Sequence, residues 1–220
     1  NEKKYVDDCL DSTWISSKGK YIKLFEESFS KFTDLKYSVA VSNGTVALHL
    51  ALLALGIGEK DEVIVSTFTY VASVNAIKYV NAKPVFVDSD PQTWQINPSK
   101  IREKISKKTK AIMAVHIYGH PCDMKQIKKI AKEFKLYIIE DCAEAIGSYY
   151  DNKHAGRFGD IATFSFFGNK AITTGEGGMV CTNNKNLHDL VVRLKGQGLA
   201  KNQEYFHDII GYNYRMTNIC

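Results

Sequence analysis

Short apolar runs alternate with helical patterns along most of this chain, and that alternation limits it to few folds. The runs rich in β-branched and aromatic residues, which predict strands, cover 38–42, Glu62–Ser66, 84–87, 110–116, 136–140, 161–166 and 179–182. Helical periodicity covers 46–55, 70–79, 98–105, Met124–Phe134 and 187–195. Strands that alternate with helices predict a three-layer α/β/α structure with a mainly parallel central sheet.

Composition and charge indicate an ordinary globular domain. The 220 residues are 45% hydrophobic and 24% charged, which fits one large domain or two small ones. No repeat, low-complexity tract or internal linker divides the sequence, so we predict one domain. The net charge is +5, and its densest basic cluster spans 100–110. We expect that cluster to be the exposed face of an amphipathic helix, and no nucleic-acid binding.

The cysteines and the lack of targeting signals predict a cytoplasmic protein. The five cysteines are odd in number and scattered, and no Cys-x-x-Cys pattern occurs, which indicates reduced thiols and neither a disulfide framework nor a metal site; they are Cys9, Cys122, Cys142, Cys181 and Cys220. No signal peptide or bilayer-length apolar run is present, so no membrane partner is expected. The chain starts without methionine and stops at Cys220 without terminal character, which predicts that it is truncated.

The turn at 42–45 is a candidate phosphate site. It joins a strand to a nearly all-apolar helix, whose start offers free N–H groups and the positive end of the helix dipole. Gly44 allows close approach of the backbone, and Thr45 adds a hydroxyl. A plain helix cap is the alternative. The glycine-rich segments 56–58 and 175–178 match neither a dinucleotide-binding motif nor a P-loop.

Asp141 follows the apolar run 136–140, at the carboxyl end of a predicted strand. Ligands of parallel sheets bind beyond this end of the strands. A carboxylate there could keep a pyridine nitrogen protonated and so turn the ring into an electron sink. Alternatively, Asp141 caps a helix at 143–146 or is a surface acid. Glu140 and Glu144 remain alternatives for the acid.

Lys170 follows the aromatic strand at 164–167 and precedes the glycine-rich segment 173–178. An amine held in a largely apolar pocket is nucleophilic toward a carbonyl and can form a Schiff base. Ser165 could reach a phosphate group, and Tyr70 or Phe68 could stack on a ring. An amine, an acid for a pyridine nitrogen and a phosphate-binding helix start are the groups that pyridoxal 5'-phosphate (PLP) requires. The sequence therefore predicts a PLP enzyme.

Four segments in order also resemble the motifs of one family. They are 42–48 (SNGTVAL), 140–147 (EDCAEAIG), 164–170 (FSFFGNK) and 211–217 (GYNYRMT). They resemble the DegT family of PLP-dependent nucleotide-sugar aminotransferases, which have the aspartate-aminotransferase fold (fold type I). Matches at 115–119 and 173–178 extend the resemblance over the whole chain. Within the family, the chain is most similar to perosamine and viosamine synthases, which aminate C4 of a 4-keto-6-deoxy nucleotide sugar.

The resemblance implies roles around the cofactor ring. Lys170 would bind PLP covalently and act as the catalytic residue, and Asp141 would contact the pyridine nitrogen. Tyr70 would stack on the ring, and Glu144 would lie near the ring hydroxyl. Some relatives in the family are sugar dehydratases with histidine in place of the lysine, so Lys170 favours the aminotransferase branch.

The resemblance also implies how the phosphate is held. Gly44, Thr45 and Ser165 would bind it from one subunit, and Asn213 would reach it from the neighbouring subunit. The active protein would therefore be a homodimer with shared active sites.

The predicted reaction moves an amino group from an amino acid, expected to be L-glutamate, to a 4-keto-6-deoxy nucleotide sugar in polysaccharide biosynthesis. Amination at C3 is an alternative. Residues 1–220 would be the PLP-binding large domain, and the smaller C-terminal domain of the family is absent from the sequence. The other alternative is therefore a non-catalytic remnant that binds cofactor or a partner. Comparing the intact mass of the native product with its reading frame distinguishes the two.

Overall fold

The structure is a computed structural model that describes residues 1–201, 203 and 205–220. Its helices are α1 (Glu2–Asp11), α2 (Lys20–Thr33), α3 (Gly44–Ala54), α4 (Val71–Tyr79), α5 (Pro98–Ile101), α6 (Met124–Phe134) and α7 (Lys185–Lys195). Its strands are β1 (Tyr37–Val41), β2 (Glu62–Ser66), β3 (Lys83–Val87), β4 (Thr109–Val115), β5 (Tyr137–Asp141), β6 (Tyr149–Tyr150), β7 (Lys153–His154), β8 (Ile161–Ser165) and β9 (Gly178–Thr182). Short 3-10 turns cover 102–104 and 117–119.

Seven strands form one sheet in the order β1-β9-β8-β5-β4-β2-β3. The pairs from β8 to β3 are parallel, and β9 runs antiparallel to both β1 and β8. The predicted mainly parallel α/β sheet is therefore confirmed. Because β1 and β8 both oppose β9, they share a direction, so every strand of this sheet except β9 ends at the same edge.

The connection between β8 and β9 explains the one reversed strand. Parallel neighbours need a long crossover, usually a helix, whereas antiparallel neighbours can be joined by a loop. Segment 166–177 contains no helix, so β9 returns directly alongside β8. That loop carries Lys170 at the edge where the parallel strands end.

Helices cover both faces of the sheet. One face packs against α3, α4 and α7, and α3 is buried around most of its circumference, with Ala47, Leu50 and Leu52 inaccessible to solvent. An apolar helix of this kind needs neighbours on all sides, and α4, α7 and the sheet provide them. The other face carries α2 beside β8 and β9, and α5 and α6 beside β4. Both faces are covered, as a three-layer structure requires.

Some local expectations were wrong. Helix α2 was not predicted, although Ile22, Phe25 and Phe29 have helical spacing and pack on the core. Helix α5 ends at Ile101, so the basic cluster at 100–110 is not one helix face; it continues through a 3-10 turn into β4. No helix in the described ranges is both long and apolar enough to cross a bilayer.

Candidate functional site

Three predicted site segments meet at the carboxyl edge of the sheet. The 42–45 turn follows β1, Asp141 ends β5, and the loop with Lys170 follows β8. These segments lie far apart in the sequence, and the common strand direction brings them to one edge. This edge is the ligand-binding side of open α/β sheets.

The start of α3 forms an anion-binding cradle against β8. Asn43 caps the helix, because its side-chain oxygen accepts the N–H of Val46 at 3.0 Å. The N–H groups of Gly44 and Thr45, in the first turn, have no intrahelical acceptor. A Cβ added to Gly44 would lie 2.8 Å from Ser165 Cβ, so the backbone approaches the Ser165 hydroxyl closely. Free N–H groups beside two hydroxyls suit a phosphate.

Gly44→Ala tests this cradle. We expect it to weaken PLP affinity about 10-fold or more, because overpacking costs about 1–3 kcal/mol and displaces Ser165. Gly58→Ala is the matched control, since a Cβ there meets only Val80 O at 3.9 Å. Affinities follow from equilibrium titration of each cofactor-free variant with PLP. Equal affinities for the two variants would place the phosphate elsewhere.

Asp141 is a buried, oriented carboxylate. Only 5% of the residue is exposed, so it is not a surface acid. Its Oδ2 accepts the Ser73 hydroxyl at 2.8 Å, and its Oδ1 accepts the Ala143 N–H at 3.1 Å. Burial raises the pKa of Asp141, and the bonds from Ser73 and Ala143 and the charge of Lys170 oppose that rise. Each carboxylate oxygen of Asp141 keeps a second lone pair, so a cation placed against it would form a strong ion pair.

Glu140 faces a different set of groups. It is fully buried, and its two oxygens accept the N–H groups of Gly156, Phe158 and Gly159. Successive strand residues point to opposite faces of a sheet. Glu140 therefore fixes the 156–159 loop, whereas Asp141 points to the other face of the sheet, toward Ser73.

Glu140 also belongs to a buried cluster with His116 and Cys142 whose spacing could suit a metal ion. The Nδ1 of His116 accepts the Cys122 N–H at 3.1 Å, so Nε2 carries the proton that Glu140 accepts at 3.1 Å. Burial raises the pKa of the Cys142 thiol to about 12, so without an ion the thiol stays protonated. The histidine and the carboxylate already have partners, so the cluster is a hydrogen-bonded network.

Lys170 lies beside a carboxylate. Its Nζ is 3.7 Å from Glu144 Oε1, and Glu144 Oε2 accepts the Tyr118 N–H at 2.6 Å. The pocket is therefore more polar around the amine than the flanking aromatic sequence predicts. The Lys170 side chain is only 18% exposed, so the surrounding residues limit the directions in which its amine can point.

The glycine-rich segment after Lys170 closes its loop. Phe166 O accepts the Thr174 N–H at 3.0 Å, and the Phe166 N–H donates to Gly177 O at 2.9 Å. Both ends of the loop are thus tied to the end of β8. The glycine-rich segment 173–178, which does not match a P-loop, therefore holds the loop that carries Lys170 in place.

The two aromatic candidates for stacking have different surroundings. Tyr70 is the N-cap residue of α4 and is 72% exposed. Phe68 packs edge-on against Trp94 and Tyr118. Tyr70 therefore has the freer ring, and its role on the cofactor stays a prediction.

Asn213 is exposed and lies close to the 42–45 turn. The neighbouring Tyr214 O accepts the Ser42 N–H at 2.9 Å. The Tyr212 and Tyr214 rings stack, with centroids 5.0 Å apart, and Tyr214 Oη lies 3.2 Å from His49 Nδ1. These contacts fix the backbone at 212–214 and leave the Asn213 side chain at the surface.

Ser73 was missed from the sequence. It is 1% exposed and orients Asp141 from the first turn of α4. The sequence offered one indication: Ser73 lies three residues after Tyr70, at the start of a helix. In a parallel sheet, such helix starts lie at the ligand-binding edge. Its distance from Asp141, 68 residues along the chain, hid the contact.

Comparison with known proteins gives consistent matches over the whole chain. A family model described as the DegT/DnrJ/EryC1/StrS aminotransferase family matches residues 1–220. GDP-perosamine synthase of Escherichia coli O157:H7 is 67% identical over 219 residues, covering 100% of this chain and 60% of that protein. The chain thus spans less than two thirds of the length of this curated relative.

Solved structures agree with the sequence matches. An aminotransferase from Psychrobacter cryohalolentis superimposes with a TM-score of 0.94 at 39% identity, covering 99% of this chain and 58% of that one. A Bacillus subtilis protein with bound cofactor PMP has a TM-score of 0.93 at 34% identity, covering 99% and 49%. The fold is therefore that of these proteins, as the motifs predicted.

Proposed function

This chain belongs to the DegT/DnrJ/EryC1/StrS aminotransferase family, and from that premise we propose that it is the PLP-binding part of a nucleotide-sugar aminotransferase. The observation that carries the proposal is the grouping at the carboxyl edge of the sheet. There, a lysine amine 3.7 Å from Glu144, the buried Asp141 carboxylate and the open start of α3 match the reactive, ring-binding and phosphate-binding needs of one cofactor.

PLP supplies, when bound, a carbonyl that reacts with amines and a ring that accepts electrons once its nitrogen is protonated. The chain's own residues bind and orient it. The N–H groups of Gly44 and Thr45 and the hydroxyls of Thr45 and Ser165 would bind the phosphate, and Asp141 would hold the pyridine nitrogen in its protonated form. Tyr70 would cover one face of the ring.

Lys170 has two tasks in this proposal. Its Nζ would hold the cofactor covalently, and as a free amine it would take a proton from the α-carbon of the amino donor as a general base and release it again as a general acid. Glu144, 3.7 Å away, attracts the protonated amine, and the Tyr118 N–H keeps the carboxylate in place. The same residues would serve the keto sugar when it receives the amino group, with the proton transfers in the opposite direction.

The substrate assignment follows the relatives. The 67% identical protein is a GDP-perosamine synthase, which supports a GDP-linked sugar as substrate. The 4-keto-6-deoxyhexose, amination at C4 and L-glutamate as donor follow from the family resemblance and stay predictions. Such a product serves polysaccharide biosynthesis. Amination at C3 remains the alternative, and a cytoplasmic location stays a prediction of the sequence. A non-catalytic, cofactor-binding remnant is the alternative of another class.

Two separate half-reactions test the function. The protein loaded with PLP should lose its visible absorption band when L-glutamate is added without sugar. Adding GDP-4-keto-6-deoxymannose should then restore the band and yield an amino sugar by mass spectrometry. A band that glutamate does not change would favour the non-catalytic alternative. A changed band that this sugar does not restore would instead point to another acceptor.

We also propose that the active protein is a homodimer in which Asn213 serves the neighbouring site. The support is its exposed side chain, next to a segment anchored beside the 42–45 turn, together with the family motif at 211–217. Asn213→Ala should weaken PLP retention by about 1–3 kcal/mol, the scale of a lost hydrogen bond to a charged group. The competing arrangement places Asn213 at the phosphate of its own subunit, since Tyr214 contacts Ser42 of the same chain.

Mixing variants separates the two arrangements. A heterodimer of Lys170→Ala and Asn213→Ala subunits would hold both lesions in one site and leave the other intact. At a PLP concentration that leaves the Asn213→Ala parent largely unloaded, activity should therefore rise above either parent. Lys170→Ala mixed with Asp141→Asn is the control, because those residues lie in one chain and each site keeps one lesion. If the first mixture forms heterodimers but gains no activity, Asn213 does not act across the interface.

A further inference from the structure

Three exposed aromatic rings form a cluster at the carboxyl edge of the sheet. Phe68 follows β2, Trp94 follows β3 and Tyr118 follows β4. Their centroids are 6.0 Å apart for Phe68 and Trp94, 6.1 Å for Phe68 and Tyr118, and 6.4 Å for Trp94 and Tyr118. All three pairs are edge-to-face, a favourable geometry for aromatic rings. We call these three residues the aromatic platform.

The rings of the platform are exposed, and the backbone of two of its residues is strained. Packing in the hydrophobic core explains neither feature. Phe68, Trp94 and Tyr118 are 43%, 55% and 69% exposed. Trp94 and Tyr118 also have positive φ angles, 63° and 53°. Bulky residues rarely adopt this left-handed conformation, and such strain concentrates at functional sites.

A buried glutamine holds the platform together. Gln95 is 3% exposed, and its Nε2 donates to Ile117 O at 3.1 Å while its Oε1 accepts the Ile117 N–H at 3.1 Å. Gln95 follows Trp94, and Ile117 precedes Tyr118. This two-point bridge therefore fixes the two strained rings relative to each other before any ligand binds, which lowers the entropic cost of binding.

One carboxylate connects the platform to Lys170. The Tyr118 N–H donates to Glu144 Oε2 at 2.6 Å, and Glu144 Oε1 lies 3.7 Å from Lys170 Nζ. From there the platform extends along the edge toward β2 and β3, away from β8. A substrate that reacts at Lys170 and extends toward β2 and β3 would pass over these rings.

We propose that the aromatic platform of Phe68, Trp94 and Tyr118 receives the nucleobase of the nucleotide sugar. This inference rests on the proposed function, because it assigns the far end of the same substrate. The base is the planar, aromatic end of that molecule. Proteins commonly bind bases by stacking them on exposed aromatic rings, without hydrogen bonds that distinguish one base from another. The platform is then a specificity-determining subsite outside the cofactor pocket.

Tryptophan fluorescence gives a direct test, because the chain has only two tryptophans. Trp14 and Trp94 are 56% and 55% exposed, so Trp14 is a matched control. In the cofactor-loaded protein, GDP should quench the emission, and pyrophosphate, which lacks the base, should not. Trp14→Phe should keep the quenching, and Trp94→Phe should lose it. Equal quenching in both variants, or none in the wild type, would overturn the proposal.

Affinity and kinetics give the second measurement. Trp94→Ala should weaken GDP binding and raise the KM for the nucleotide sugar about 10- to 100-fold, the range for one lost stacking contact. Trp94→Phe keeps a ring and should retain most of the affinity. The glutamate half-reaction uses no nucleotide and should be unchanged in both, which also reports correct folding. A normal half-reaction with an unchanged KM in Trp94→Ala refutes the platform alone, whereas a wild type without the half-reaction refutes the proposed function.

Discussion

Lys170→Ala is expected to abolish turnover, with a loss on the order of 10⁴-fold or more. The variant loses both the covalent attachment of PLP and the base that moves the proton, and proton transfer alone is worth about 10²–10⁴-fold. The fold should persist, because the side chain lies at the open edge of the sheet and, among the described residues, its ion pair is with Glu144 at 3.7 Å. Steady-state assays and thermal unfolding of the same preparation measure both effects.

A labelling experiment locates the covalent bond independently of activity. Borohydride reduction of the PLP-loaded wild type should fix the cofactor on the peptide that contains Lys170, and the Lys170→Ala protein should remain unlabelled. Lys23→Ala is the control, since Lys23 is exposed and only 3.8 Å from Glu27 in a surface pair. Label on another lysine of the wild type, or full activity of Lys170→Ala, would refute the assignment.

Asp141→Asn is expected to slow the glutamate half-reaction by about 10²–10³-fold. That is the typical loss when an enzyme loses one preorganised group that stabilises the charge developing in the transition state. Asparagine is nearly isosteric and can keep the contacts to Ser73 and Ala143. The phosphate cradle is untouched, so much of the PLP affinity should remain. Stopped-flow absorbance measures the rate. A near-normal rate would mean that Asp141 does not hold the pyridine proton.

The same substitution should stabilise the protein when the cofactor is absent. Burial raises the pKa of Asp141, so the folded state binds this proton more tightly than the unfolded state. The ionised carboxyl therefore costs stability increasingly as pH rises from the unfolded value of about 3.9 through the raised folded value. The melting temperature of Asp141→Asn should exceed that of the wild type at neutral pH, by about 2–4 °C per kcal/mol of relief. The gain should vanish at acid pH.

Several site features could be predicted because they are local in the sequence. The 42–45 turn before an apolar helix indicates an anion-binding helix start, and the structure shows Asn43 as its cap. Alternating apolar strands and helices predicted the layers. Helix α2 lies before the first strand, so the alternation of strands and helices does not indicate it, although its apolar spacing is helical.

Other features could not be predicted because they depend on contacts between distant segments. The residues alone did not rank Glu140, Asp141 and Glu144 as the acid, and only the family resemblance pointed to Asp141. The structure separates them, since Glu140 is saturated by the 156–159 loop, whereas Asp141 contacts Ser73 and Glu144 faces Lys170. Neither the Ser73 contact nor the bridge from Gln95 to Ile117 has a sequence signature, because both form between side chains and loops brought together only by strand order.

The sequence by itself determined the family, the layered α/β fold and the residue types available for chemistry, because periodicity, glycine placement and ordered motifs are short-range properties of the chain. The tertiary structure alone decided which of those residues meet. The reversal of β9 leaves the lysine loop at the edge where β1 and β5 end, and burial there sets the electrostatics of Asp141. Strand direction and desolvation are properties of the packed sheet, and they are what turn separate motifs into one site.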